Sequence, residues 1–174
     1  MTTLKLGQQN ASLTALQIPP GYDLVLLSSG ISLALSSSLG FLIWGLYRKR
    51  AGIQYPFLYA TEAQCRKNPA AFTFNCAQRC HANYVENLLP MVGSMLIAGL
   101  ENPRQVSALG IVWIVARGVY SWAYINTKYE DVAHKEGAKV GRGLTPIGWW
   151  IPQWALHCLA ITATLRMTFH LKGA

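Results

Sequence analysis

One uncharged apolar run constrains this chain more than any other feature: the segment from Leu24 to Tyr47 has no acidic or basic side chain. A helix rises about 1.5 Å per residue, so a run of this length crosses a bilayer core of about 30 Å. Three further, predominantly apolar stretches follow, at about 72–100, 106–127 and 145–165. Charged residues make up 13% of the chain, well below the fraction in a typical soluble domain. The sequence therefore predicts an all-α integral membrane protein, a four-helix bundle.

The chain has the length of a single domain, with a short tail before the first apolar run. Residues 1–20 are polar and lack the long apolar core of a signal peptide, so we interpret them as an N-terminal tail. Residues 21–174 form the predicted membrane domain. Its helices are expected at about 22–48, 73–101, 105–127 and 145–168.

The basic residues lie at the ends of the apolar segments, as membrane topology requires, and not in a stripe on one surface. This distribution argues against a nucleic-acid partner despite the net charge of +8. Most fall in the loops before the second span and after the third: Arg48, Lys49, Arg50, Arg66, Lys67, Lys128, Lys135, Lys139 and Arg142. The opposite side has Lys5, Arg104, Arg166 and Lys172. The positive-inside rule therefore places both long loops in the cytosol and both termini across the membrane.

Polar side chains with helical spacing lie toward the cytosolic ends of the second and third predicted spans. Ionisable groups are unfavourable inside a membrane and usually mark a functional site. Such a site at this depth suits an anionic ligand supplied from the cytosol. The alternative is an interfacial helix end whose charged side chains snorkel to water. The two sets, each sharing one helix face, are Arg79, Asn83 and Glu86 on the second span and Arg117, Tyr120 and Tyr124 on the third.

Four cysteines are present, without a paired CxxC pattern. Cys76, Cys80 and His81 are the nearest approach to a metal-binding set, but His81 points away from the shared face and a fourth ligand is not evident. We therefore predict ordinary reduced thiols and no metal site.

Three stretches carry a family resemblance: Ile53-Gln54-Tyr55-Pro56, the segment FNCAQRCHANYVEN from Phe74, and GIVWIVARGVYSWAY from Gly110. Arg142-Gly143, ahead of the last span, is a weaker match. With these motifs the chain resembles the MAPEG family, membrane-associated proteins of eicosanoid and glutathione metabolism. It looks closest to the type 3 branch of the microsomal glutathione S-transferases. The resemblance extends from about Gly21 to the last span.

The resemblance implies a homotrimer of four-helix bundles, with glutathione as cosubstrate at each subunit interface. Arginines suit the carboxylates of glutathione, and Glu86 suits its ammonium group. Arg142 takes the position of the catalytic arginine, where a nearby cation favours the thiolate, and Lys139 is the alternative. Asn87 departs from relatives that have an aromatic residue there. The implied glutathione-binding residues are Arg48, Arg79, His81, Asn83, Glu86, Tyr120 and Tyr124.

The predicted function is that of a membrane-bound glutathione transferase or peroxidase that conjugates lipophilic electrophiles or reduces lipid hydroperoxides. Leukotriene C synthase activity is a third alternative within the family. Two other classes are a non-catalytic membrane module, which binds lipid or accompanies a larger complex, and a small transporter. The chain lacks the inverted repeats of a transporter. We expect the endoplasmic reticulum, with the outer mitochondrial or peroxisomal membrane as alternatives, because the sequence has no address signal.

Four further side chains, one arginine and three tryptophans, lie in or next to the predicted spans. We expect Arg117 to be a structural arginine that pairs with a glutamate within the bundle. Trp149 and Trp150 are predicted to lie at the membrane interface, where tryptophan is enriched. Trp154 is a candidate for covering a lipid tail.

Overall fold

The computed structural model describes the backbone of residues 18–130 and 145–172. It describes the side chains of residues 18–130 and 148–169. Throughout these residues the regular structure is helical. Four long helical segments dominate it. A connection that contains a small helix joins the first to the second, and a short turn joins the second to the third. The helices are α1 (Tyr22–Leu42), a π-helical turn (Ile43–Tyr47), α2 (Arg48–Ala51), α3 (Glu62–Lys67), α4 (Pro69–Ala98), α5 (Pro103–Ile125) and α6 (Thr145–Lys172).

The first helical rod runs from Tyr22 through the π-helical turn to Ala51, three residues beyond the predicted end. It ends at Gly52, whose φ of 68° is a left-handed conformation that favours glycine. Four serines of this rod are buried, whereas most of its leucines are exposed. The hydroxyl of Ser32 donates to the carbonyl of Ser28 in the same helix. Its hydrogen bond is therefore satisfied although the side chain is buried against neighbouring helices.

The second long helix begins four residues before its predicted start, at Pro69. The Asn68 side chain accepts a hydrogen bond from the Ala70 amide at 3.0 Å, and Pro69 occupies the first helical position. Local capping therefore determines where α4 starts. At the other end, α4 stops at Ala98 instead of 101. The remaining two also shift: α5 covers Pro103–Ile125 and α6 continues to Lys172.

Helices α4 and α5 pack against each other, and each of them also contacts α1 and α6. Met91 and Met95 of α4 are fully buried, together with Trp113 of α5 and Leu156 of α6. A Cβ atom at Gly110 would lie 2.5 Å from Met95 Cε, so glycine allows the close approach of α5 to α4. A second apolar cluster, containing Ile43, Ala51, Ile53, Ala60, Cys65, Ala71, Phe74 and Ala77, joins the connection between α2 and α4 to the bundle.

Within the described residues, two helical segments are long and apolar enough to cross a membrane: Tyr22–Ala51 and Pro103–Ile125. Helices α4 and α6 are of comparable length, 30 and 28 residues, but carry more polar side chains. Their passage through the bilayer remains a prediction that rests on their packing beside the two apolar segments.

Orientation in the membrane can be tested with single cysteines. We expect Ala63→Cys to react with a membrane-impermeant maleimide only from the cytosolic side and Gln105→Cys only from the opposite side, because these exposed positions flank opposite ends of α4. The assay uses sealed vesicles and Cys158→Ser protein, since Cys158 is the exposed thiol among the four free cysteines. Reversed labelling would invert the topology.

The native Cys65 is a poor reporter for that experiment. It is buried, and the Asn75 amide lies 3.4 Å from its sulfur. Burial and the nearby Glu62 raise the pKa of the Cys65 thiol, which reduces the reactive thiolate at neutral pH. The introduced cysteine at residue 63 is at an exposed position, so burial does not limit its reaction.

Candidate functional site

Arg79 and Glu86 lie two turns apart on the outer surface of α4. Arg79 Nη1 is 3.3 Å from Glu86 Oε1, and both side chains are about half exposed, at 53% and 55%. An exposed ion pair of this kind contributes little to stability, because both charges are well solvated. The pair is therefore available for exchange with a ligand that carries the complementary charges.

Asn83 faces inward from the same stretch of α4 and meets Arg117 of α5. Arg117 Nη1 donates to Asn83 Oδ1 at 2.8 Å, and the arginine has no exposed surface. Its Nε and Nη2 atoms have no hydrogen-bond partner among the residues that the structure describes. The expected pairing of Arg117 with a glutamate is therefore wrong among the described residues: the contact is with an amide, and Glu86 pairs with Arg79.

Aromatic rings surround the Arg117 guanidinium. Its central carbon lies 4.7 Å from the centre of the Trp149 ring and 5.2 Å from that of Tyr120. Tyr84 and Trp113 lie at 5.0 Å and 5.6 Å. The negative faces of such rings attract a cation, which helps to hold a buried charge that has one hydrogen bond within the described part of the chain. We call this arrangement the arginine cage.

The arginine cage corrects one interfacial assignment. Trp149 is buried at 5% exposure, so it belongs to the interior of the bundle and not to a lipid-facing belt. Trp150 is about half exposed, as a residue at the membrane interface would be, and the exposed Trp154 stays a candidate for covering a lipid tail.

Tyr124 lies one turn from Tyr120 on α5, and Tyr120 is one of the rings of the arginine cage. Their ring centres are 5.5 Å apart, and Tyr120 also contacts Trp149 at 6.2 Å. Both tyrosines are partly buried. The sequence alone predicted that Arg79, Asn83 and Glu86 share a face of α4 and that Arg117, Tyr120 and Tyr124 share a face of α5. The structure shows that Arg117, which lies against the Tyr120 ring, joins the two faces by its hydrogen bond to Asn83.

A second polar connection was not predicted. Gln153 of α6 donates from Nε2 to Asn87 Oδ1 at 3.0 Å and accepts at Oε1 from Trp113 Nε1 at 3.1 Å. Asn87 Nδ2 in turn donates to the Asn83 carbonyl at 2.7 Å. Helices α4, α5 and α6 are therefore joined by amides next to Asn83. The available signal was Asn87 at one turn from Asn83, together with a lone glutamine inside an apolar span.

Arg48 and His81 point elsewhere within the subunit. Arg48 is buried and donates from Nη1 to the Phe57 carbonyl at 2.7 Å. His81 packs against α1, where a Cβ atom at Gly40 would lie 3.2 Å from its Nε2. His81 follows Arg79 by two residues, so the two side chains lie on nearly opposite faces of α4. A role for Arg48 or His81 in binding therefore requires a ligand held between subunits.

Arg142 lies outside the described residues, as do Lys139 and most of the third loop. The described residues contain no group of three or more histidine, cysteine, aspartate or glutamate side chains that could hold a metal ion.

The sequence model of the MAPEG family matches residues 25–164, which is most of the chain. The chain belongs to the MAPEG family. This membership and the two apolar helices indicate an integral membrane protein. Family membership supports a general role for this MAPEG protein in eicosanoid or glutathione metabolism at a membrane.

Proposed function

We propose that this MAPEG protein is a trimeric enzyme that binds glutathione on the Arg79–Asn83–Glu86 face of α4. It would use the glutathione thiolate to conjugate lipophilic electrophiles or to reduce lipid hydroperoxides. The observation that carries the proposal is the exposed Arg79–Glu86 pair beside an asparagine that a buried arginine holds in place. The motifs quoted above favour the type 3 microsomal transferase branch, and from that resemblance we infer a location in the endoplasmic reticulum.

The charges of the pair suit one end of glutathione. Its γ-glutamyl group carries a carboxylate and an ammonium on the same carbon atom. Arg79 and Glu86 lie 3.3 Å apart in the subunit. Once this pair opens, Arg79 can donate to the carboxylate and Glu86 can accept from the ammonium. Binding then exchanges one exposed ion pair for two charge-assisted contacts, and it leaves neither protein charge alone.

The orientation of Asn83 follows from its neighbour. Because Arg117 donates to Oδ1, the Nδ2 group of Asn83 is the one left to donate to a peptide carbonyl of the ligand. Tyr120 and Tyr124 add hydroxyl groups on the adjacent helix. Arg117 is in this mechanism a positioning residue, since it acts on the ligand through Asn83.

The trimer is supported by where the site lies. The pair is on the outside of a single subunit, next to the exposed apolar side chains of Val85 and Leu89. A thiolate requires shielding from water if its stabilisation is to be strong. A second subunit against this surface would provide that shielding, and a lipophilic cosubstrate would then enter from the bilayer between subunits.

A non-catalytic membrane module is the second candidate function. It is favoured by one observation, that Arg79 and Glu86 already neutralise each other. In that case the pair is only a solvated surface contact. Glutathione binding and glutathione-dependent turnover separate the two candidates.

Binding can be tested at each end of the pair. We expect Glu86→Gln and Arg79→Leu each to weaken glutathione binding by about 1–3 kcal/mol, because each removes one charged hydrogen bond. Isothermal titration calorimetry on the detergent-solubilised protein measures this. The matched control is Glu62→Gln, which removes the charge of the exposed Glu62–Arg66 pair on α3. Unchanged affinity in both α4 variants would exclude this face as the binding site.

A further inference from the structure

The connection between α2 and α3 exposes a run of large apolar side chains. Tyr55, Phe57 and Leu58 are 63–66% exposed, and Tyr59 is 45% exposed. We call residues 55–59 the aromatic loop. It lies outside the long helices, between the basic end of α2 and the polar helix α3. A contiguous apolar surface of this kind marks an interaction site when nothing in the subunit covers it.

The backbone of the aromatic loop is held from the inside. Arg48 Nη1 donates to the Phe57 carbonyl at 2.7 Å, and its guanidinium lies 4.3 Å from the centre of the Tyr55 ring. Gln78 of α4 donates to the Leu58 carbonyl at 3.0 Å. Polar side chains therefore bind the carbonyls of the loop, while its apolar side chains remain exposed.

Both ends of the aromatic loop are also anchored. Asn75 of α4 donates to the Ala60 carbonyl at 2.8 Å and accepts from the Ala60 amide at 2.7 Å. Ile53 and Ala60, which bracket the loop, are buried. The exposed residues are thus presented by a fixed backbone whose two ends belong to the packed interior.

The depth of the aromatic loop follows from the helix before it. The apolar segment Tyr22–Ala51 ends in Arg48, Lys49 and Arg50, and Gly52 then reverses the chain. Lys49 and Arg50 are exposed. The loop is therefore a few residues from the point at which this segment leaves the bilayer. Aromatic side chains are enriched at that depth, and exposed lysine and arginine attract lipid phosphates there.

We propose that the aromatic loop inserts into the lipid headgroup region at this end of the bundle, with Lys49 and Arg50 against lipid phosphates. Arg48 is the clamp that fixes the loop for this contact. The inference concerns a lipid surface and does not rest on the Arg79–Glu86 pair.

Spin labels on the full protein test the insertion. The label is attached to Leu58→Cys or, in a second variant, to Tyr59→Cys, in Cys158→Ser protein, because the other three cysteines are buried. The protein is reconstituted in bilayers of phosphatidylcholine and phosphatidylserine. Collision rates with oxygen and with a water-soluble nickel complex report depth. Ala63→Cys on α3 is the matched control, since it is exposed but carries no apolar neighbourhood of this kind.

At residues 58 and 59 we expect the ratio of oxygen to nickel collisions to exceed that at residue 63 several-fold. Equal ratios at all three positions would show that the loop faces water and would overturn the proposal. Low collision rates with both reagents at residues 58 and 59 would overturn it as well, because they indicate that another protein surface covers the loop.

Discussion

Replacement of Arg142 by leucine is expected to lower glutathione-dependent turnover about 100-fold, the loss that is typical when one electrostatic stabiliser of a reacting anion is removed. Arg142 occupies the position of the catalytic arginine by resemblance, and its guanidinium keeps its charge at any physiological pH. A cation near sulfur favours the thiolate, so the pKa of bound glutathione should rise in the variant. Glutathione affinity should change little, because the interaction strengthens as charge develops.

Two measurements check the Arg142 prediction: steady-state turnover with a hydroperoxide and an aryl halide side by side, and the ultraviolet absorbance of the bound thiolate. Both should fall together. Lys139→Leu is the control, since it removes a cation from the same loop three positions away. Normal turnover in Arg142→Leu, or a large loss in Lys139→Leu, would overturn the assignment of the catalytic role to Arg142. Absence of glutathione-dependent turnover in the wild type would favour the non-catalytic module.

The helix face of α4 was predictable because it depends only on local geometry. A helical repeat fixes the relative directions of Arg79, Asn83 and Glu86 without knowledge of any other part of the chain. The structure accordingly has Arg79 and Glu86 in contact, and Asn83 on the flank that turns toward α5. The same reasoning holds for Tyr120 and Tyr124, whose rings stack one turn apart.

Contacts between helices were not predictable in this way, since they depend on how each helix is rotated against its neighbour. Arg117 was expected to find a glutamate, the residue of opposite charge. The rotation of α5 instead directs it to Asn83 and into an aromatic cage. Likewise, Trp149 is buried although its neighbour Trp150 is exposed, a difference that residue type alone does not encode.

Arg48 shows a further limit of motif reasoning. Its position after a long apolar run is equally suitable for a ligand, for lipid headgroups or for the chain itself. The structure shows that its Nη1 donates to the carbonyl of Phe57, nine residues later. The chain leaves the helix at Gly52, which has a left-handed backbone conformation. The contact between Arg48 and Phe57 depends on this turn, so a motif in the sequence does not reveal it.

The single hydrogen bond to Arg117 leads to the second large expected effect. Asn83→Leu should destabilise the protein by about 2–3 kcal/mol, because it removes the only hydrogen bond that the structure gives to a fully buried guanidinium. The aromatic cage remains in the variant but supplies no hydrogen-bond acceptor of comparable strength. The free energy of unfolding in mixed detergent micelles measures the effect.

A double-mutant cycle isolates the Asn83–Arg117 contact from other roles of the asparagine. With Arg117→Leu already in place, the buried charge is gone, so adding Asn83→Leu should change the free energy of unfolding by much less than it does in the wild type. The coupling energy should therefore approach the full 2–3 kcal/mol, roughly the range for a hydrogen bond to a charged group. Asn126→Leu, at the exposed end of α5, controls for the loss of an amide that donates to the Trp122 carbonyl of its own helix. If Asn83→Leu is equally destabilising in both backgrounds, Asn83 stabilises the fold by another contact. Arg117 would then not be the residue that fixes its orientation toward glutathione.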